Sequence, residues 1–291
     1  MLKKIIQEKR PNISKSSINT YNSILTNLYK RIFGDGEIDI NKFDDDKEIL
    51  TDLNNLEPNK RKTVLSALVV ITDNKKYRDQ MLEDIKDYRI ETAKQVKTKS
   101  QEDNWVEDKE LDDIFFENMM EYKYLLKKKI HTASELQKMQ NFIILCLLSG
   151  KFIPPRRLKD FVDFKINDID TEDDNFLLGR KFIFNSYKTA KTYGRQEVEV
   201  PTKLYTILKQ WIKINPTDFL LFDSKGEQLT NVKLNQRLNK IFKKEVSVNI
   251  LRHMYLSGKY GDLIETKKKL NQDFKDMGSS MGQEQVYIKK T

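Results

Sequence analysis

Cysteine occurs once in the 291 residues, so no intramolecular disulfide can staple the fold. Cys146 lies inside Phe142-Ile143-Ile144-Leu145-Cys146-Leu147-Leu148, where it reads as a small buried apolar residue. That run is far shorter than the ~20 residues a membrane-crossing helix needs. The ten glycines and six prolines are too few for a disordered or turn-rich all-β chain and favour a helix-rich one. Met1-Leu2-Lys3-Lys4-Ile5-Ile6-Gln7-Glu8-Lys9-Arg10 lacks a sustained apolar stretch and a small-residue cleavage site. Secretion is therefore not expected, and a reducing intracellular compartment is. No internal repeat or low-complexity tract interrupts the chain.

Basic residues outnumber acidic ones by 53 to 44, a formal charge of +9 that suits a polyanionic partner. The length suits two domains, each able to bury its own core. Ser14–Phe33 spaces Ile18, Tyr21, Leu25, Leu28 and Ile32 at helical steps, with Ser14, Ser16 or Ser17 available as the cap. Further helices are expected over Asp44–Leu56, over Lys60–Thr72 after a start at Pro58, and over Tyr77–Ala93. Residues 1–93 thus form a helical unit. Residues 94–104 are polar without periodicity and read as a linker, which leaves 105–291 as a larger second domain.

In that second domain, helical spacing marks Asp108–Lys128 and Ala133–Leu148, the latter nearly apolar in its final turns and so central to a core. Phe176-Leu177-Leu178, Phe182-Ile183-Phe184 and Val198-Glu199-Val200 then read as strands of a small antiparallel sheet. Helices resume at Lys203–Ile214, Asn231–Phe242 and Val248–Tyr260, with short ones beyond. The fold class is mainly α with a small antiparallel β-sheet.

Four segments of this domain carry chemistry. They are Pro154-Pro155-Arg156-Arg157-Leu158-Lys159-Asp160-Phe161, Tyr187-Lys188-Thr189-Ala190-Lys191, Asn249-Ile250-Leu251-Arg252-His253, and Met277-Gly278-Ser279-Ser280 through Tyr287. Breaking a DNA backbone requires a nucleophile, fixed positive charge at the non-bridging oxygens and an acid for the departing 5′ oxygen. Arginine suits the clamp because its planar fork donates paired hydrogen bonds and keeps its charge. Taken singly, each segment also has a plain structural explanation: a solvated helix start, a turn lysine, a packed histidine.

Arginine, lysine, arginine and tyrosine in that order resemble the tyrosine recombinase (phage-type integrase) family. The resemblance implies Tyr287 as nucleophile, Arg157 and Arg252 as the phosphate clamp, Lys188 as general acid and Asp160, one turn after Arg157, as a supporting group. Arg156 is the alternative to Arg157, and Lys191 to Lys188. Two positions depart from the family pattern: Asn249 and Ser279 stand where histidines are expected. Both can hydrogen-bond a phosphate oxygen, but neither shuttles a proton at neutral pH. His253 is expected to pack and hydrogen-bond structurally, and His131 has no assigned role.

The resemblance further implies a two-domain clamp on double-stranded DNA, with a helical, SAM-like core-binding domain, a catalytic domain, and a homotetramer on two sites. It implies no metal and no cofactor, because the phosphotyrosyl link stores the phosphodiester energy. Lys60, Arg61, Lys62, Lys75, Lys76, Lys127, Lys128 and Lys129 are candidates for backbone phosphate contacts. Rival expectations are relaxation of the type IB topoisomerase kind and a DNA-binding relative weakened in catalysis. A composition rich in Lys, Asn and Ile, with the Pro-Pro-Arg-Arg form, suggests the A/T-rich genome of a virus or mobile element. The protein would then work in the host cytoplasm or nucleus.

Overall fold

A computed structural model of the chain describes residues 1–289. Lys290 and Thr291, at the end of the segment that follows Tyr287, lie outside the described residues. The chain falls into two compact units, Met1–Lys97 and Thr98–Thr291.

The first unit is a helical bundle of α1 (Leu2–Lys9), α2 (Lys15–Phe33), α3 (Asp46–Leu53), α4 (Pro58–Thr72) and α5 (Lys75–Ala93). Of the three candidate serines, Ser14 caps α2, accepting a hydrogen bond from the Ser17 amide. Pro58 opens α4 at the first helical position, where its missing N–H costs nothing. Leu25, Phe43, Ile49, Leu53, Leu65 and Leu68 fill the core. Tyr77 is buried among them and donates its hydroxyl to the Phe43 carbonyl at 2.9 Å. Burial pushes that phenol well above its ordinary range.

The second unit begins with α6 (Lys99–Asp103), a helical turn inside the stretch read as a linker. Its short length hid it, since it offers no apolar period, but Thr98 and Gln101 form a reciprocal capping box. Asn104 then accepts from the Glu245 amide at 2.9 Å, which attaches the end of this stretch to the second unit. After α7 (Asp108–Leu125), α8 (Ala133–Leu148) starts at a Thr132–Glu135 capping box and is buried from Met139 through Leu148 apart from Asn141. Cys146 is free and buried there.

The α9 helix (Leu158–Val162) leads into four strands, β1 (Phe164–Lys165), β2 (Asn175–Leu178), β3 (Lys181–Phe184) and β4 (Gln196–Glu199), with α10 (Ala190–Tyr193) between the last two. The sheet order is β1-β2-β3-β4. The three strands read from sequence pair antiparallel as expected, and a short fourth strand, β1, adds to their edge parallel to β2, with Phe164 opposite Asn175. A two-residue strand has no readable alternation, and the long 166–174 connection gives the chain room to return in the same direction. Phe161, Phe164, Phe182 and Phe184 pack edge-on or tilted with centroids 5.5–6.1 Å apart, joining α9 to the sheet. The helices α11 (Thr202–Ile214), α12 (Asn231–Phe242), α13 (Val248–Tyr260), α14 (Leu263–Asp276) and α15 (Glu284–Tyr287) complete the unit.

Candidate active site

The site begins where α8 stops. Ser149 ends the helix and Gly150 turns the chain with φ +85°, a conformation that favours glycine. A Cβ at Gly150 would lie 2.7 Å from Cδ2 of Tyr255 on α13, so two elements approach closely here. Pro154 and Pro155 hold the following backbone extended. Arg157 then forms the entry to α9 at φ −67°, ψ 151°, and α9 packs against α12.

Asp160, only 3% exposed, is the polar centre of this region. Its Oδ2 accepts from Arg156 Nε at 2.8 Å, while its buried Oδ1 has no hydrogen-bond partner among the described residues. Burial raises its carboxyl above the ordinary range, against the opposing charges of Arg156, Arg157 and Arg252. Three guanidinium groups from two distant segments therefore act on one carboxylate.

The arginines differ in what else they touch. Arg156 also donates to Gln196 Oε1 at 3.1 Å and lies 3.9 Å over the Phe184 ring and 5.5 Å from that of Tyr187. These contacts hold α9 on β3 and β4 and leave Arg156 engaged within the fold. Arg157 and Arg252 are half-buried and have no hydrogen-bond or ion-pair partner among the described residues, which leaves both forks available to an anion.

Lys188 lies in the turn after β3, exposed and unpaired among the described residues; Lys191 is likewise exposed on α10. The preceding Tyr187 ring is buried and donates its hydroxyl to the Gly194 carbonyl at 2.7 Å, pinning this turn from within. On α13, Ser247 caps the helix and Val248, Ile250, Leu251 and Met254 form the buried face. Asn249 is exposed beside this face, where a side-chain amide is free to reach an anion. His253 does not pack as expected. Its place on the helix turns it to solvent, and it has no hydrogen bond among the described residues. His131, unassigned from sequence, bonds through Nε2 with the Leu125 carbonyl at 3.0 Å, at the end of α7.

The terminal segment has its own geometry. Gly278 takes φ +66°, and Ser279 N–H donates to the Phe274 carbonyl at 2.7 Å, closing α14. Ser279 Oγ donates to Gln283 Oε1 at 2.6 Å. Tyr287 is 53% exposed with its ring edge-on to Phe274 at 5.9 Å. Among the described residues no hydrogen bond, ion pair or ring contact joins it to Arg157, Lys188 or Arg252. The first three segments are thus linked through Asp160 and its neighbours, and the fourth stands apart from them.

Four of the expected phosphate contacts are already engaged. Arg61 grips Asp84, which is 0% exposed, through Nε at 3.0 and 3.1 Å and a terminal nitrogen at 2.6 Å. Lys128 pairs with Glu135, whose carboxyl it holds down at about 2. Lys62 sits 3.3 Å over the Tyr88 ring, and Lys76 pairs with Asp46 at 2.8 Å. Lys60, Lys127 and Lys129 are exposed, and no side-chain partner occupies them among the described residues. Among the described residues no cluster of three or more His, Cys, Asp or Glu is placed to hold a metal ion, and no helix is long and apolar enough to cross a membrane.

No family model matches this chain, and no curated protein matches it. Among solved structures it is similar to XerH site-specific recombinase bound to a palindromic difH substrate, at 16% identity and a TM-score of 0.48 over 89% of this chain and 72% of that one. It is similar to a lambda integrase dimer bound to a COC′ core site, at 15% identity and a TM-score of 0.48, covering 87% and 85% of the two chains. XerA recombinase is also similar, at 12% identity and a TM-score of 0.35, covering 88% and 82%.

Proposed function

We propose that the chain is a tyrosine-type site-specific DNA recombinase, cutting and rejoining strands through Tyr287. The observation that carries this reading is that Arg157, at the entry to α9 one turn before buried Asp160, and Arg252 on α13 are both half-buried with no hydrogen-bond or ion-pair partner among the described residues. Two fixed cations with free donors, beside a turn that presents an exposed lysine, make a receptor for one phosphodiester.

In the proposed reaction the Tyr287 hydroxyl oxygen attacks the scissile phosphorus and gives up its proton to solvent. Arg157 and Arg252 hold the non-bridging oxygens as charge builds there, with Asn249 and Ser279 as neutral donors. The P–O5′ bond breaks and Lys188 protonates the departing oxygen, leaving a 3′-phosphotyrosyl link and a free 5′-hydroxyl. A partner strand's 5′-hydroxyl reverses these steps. Since Tyr287 packs on Phe274, productive DNA binding has to carry α15 to the arginines of its own or a neighbouring copy, in keeping with a homotetramer on two sites. Lys60, Lys127 and Lys129 supply sequence-independent backbone contacts on double-stranded DNA, inside whichever compartment holds that DNA.

A second reading, a DNA-binding relative with weakened catalysis, is favoured by one observation: Ser279 Oγ is already spent on Gln283. The test is to incubate the full chain with a random-sequence duplex library, denature it, and sequence what stays covalently attached, with Tyr287→Phe alongside. One recurring site, lost with Phe, supports the recombinase. Adducts scattered over all sequences indicate topoisomerase-like relaxation instead. Salt-sensitive binding without any adduct indicates the weakened relative, and then Asn249→His with Ser279→His should restore cleavage.

A further inference from the structure

We infer that Asn175, a residue outside all four chemistry-bearing segments, is a positioning residue that sets the Lys188 turn against the Arg157–Asp160 helix. The inference rests on the recombinase reading above. Asn175 opens β2 and is 0% exposed. Its Nδ2 donates to the Asp160 carbonyl at 3.0 Å and to the Ser186 carbonyl at 2.8 Å. Its Oδ1 accepts from the Asn185 and Ser186 amides, both at 2.9 Å. An asparagine side chain offers two donors and two lone pairs, and here all four are used.

Asparagine is disfavoured in strands, and a buried amide is tolerable only when fully satisfied. This one grips α9 with one hand and the 185–186 backbone with the rest. Ser186 is fixed through both its N–H and its carbonyl, and the neighbouring Tyr187 is buried with its hydroxyl bonded, so little freedom reaches Lys188 except in its own side chain. Satisfied networks of this kind specify one arrangement rather than several. Asp160 is where the charges of Arg157 and Arg252 meet, so the strut spans from the clamp to the acid.

The test separates placement of the acid from general damage. A duplex carrying the site recovered by covalent capture is made with oxygen or with sulfur at the scissile 5′ bridging position. A thiolate leaves without needing a proton, so loss of the acid is rescued by sulfur and other losses are not. Asn175→Asp keeps the shape and removes the amide donors. It is expected to slow oxygen cleavage about tenfold or more, within the roughly 10²–10⁴-fold that a positioned acid supplies, and to raise the sulfur-to-oxygen rate ratio toward that of Lys188→Ala. Arg157→Ala should slow both substrates and leave the ratio near the wild-type value. Both rates come from one preparation, so any unfolded fraction cancels in the ratio. Should Asn175→Asp not fold at all, Asn175→Ser, which cannot span all four partners, takes its place with the same expectation. A ratio unchanged from wild type overturns the proposal, whatever happens to the rate. A wild type that forms no adduct overturns the recombinase reading first and this inference with it, and the two failures are told apart by which protein is inert.

Discussion

Gly150→Ala should destabilise the second unit measurably, and the cost divides into two separable parts. With φ at +85°, a side chain is held in the left-handed region at about 1–2 kcal/mol. The added methyl would meet Tyr255 Cδ2 at 2.7 Å, where carbon atoms settle at roughly 3.5–4.0 Å. Cδ2 belongs to the root of the ring rather than to a flexible tip, so relief requires α13 or the 149–151 turn to shift, at about 1–3 kcal/mol. The sum is about 2–5 kcal/mol, and at ~2–4 °C per kcal/mol for a unit of this size it lowers Tm by roughly 4–20 °C. Both tryptophans, Trp105 and Trp211, lie in the second unit, so a melt followed by tryptophan fluorescence reports on that unit alone. In a Tyr255→Ala background the clash is gone, and Gly150→Ala should cost only the backbone part. A loss below about 0.5 kcal/mol, the scale of ordinary surface substitutions, or the same loss in both backgrounds, would refute the reasoning.

Other perturbations follow from the same geometry. Arg156→Ala strips the hydrogen bond from Asp160 and the stacking on Phe184, and should cost about 2–4 kcal/mol by denaturant unfolding, whereas Arg157→Ala should stay within about 0.5 kcal/mol yet cut covalent cleavage roughly 10²–10³-fold. Arg61→Ala leaves Asp84 buried and unpaired, and circular dichroism should register a loss of about 3 kcal/mol, with little change in DNA affinity. Burial raises the Asp160 carboxyl in the folded chain, so the folded state holds that proton more tightly than the unfolded one. That contribution is complete below the unfolded value of about 3.9 and is lost as pH rises through the raised folded value, so Asp160→Asn should gain on wild type as pH rises above about 4. The opposite slope would mean that the three arginines outweigh burial.

Sequence made the helices legible wherever apolar residues recur at helical steps, and α8, α12 and α13 run over the residues read for them. It also placed Arg157, Asp160 and Arg252 on the elements that carry them. What it could not read depends on contacts made across the fold. Gly150 is required by a ring more than a hundred positions away, and Asn175 looks like a poor strand residue until its four partners are assembled. Arg156 and Arg157 are chemically alike and adjacent, and only the positions of Phe184 and Gln196 separate the packed one from the free one. The error on His253 came from expecting a helical histidine to be inside, when the buried face of α13 turns elsewhere. Sequence makes Arg61 and Lys128 candidates for phosphate contact because their carboxylate partners sit on other elements or across a loop, out of sight of local spacing.

The most direct measurement of the central claim is peptide mapping of the protein after reaction with duplex DNA and denaturation. The account predicts one DNA-bearing peptide, linked through the Tyr287 phenolic oxygen to a 3′ phosphate, present with wild type and absent with Tyr287→Phe. A link through another residue, or an adduct that survives in Tyr287→Phe, would contradict it.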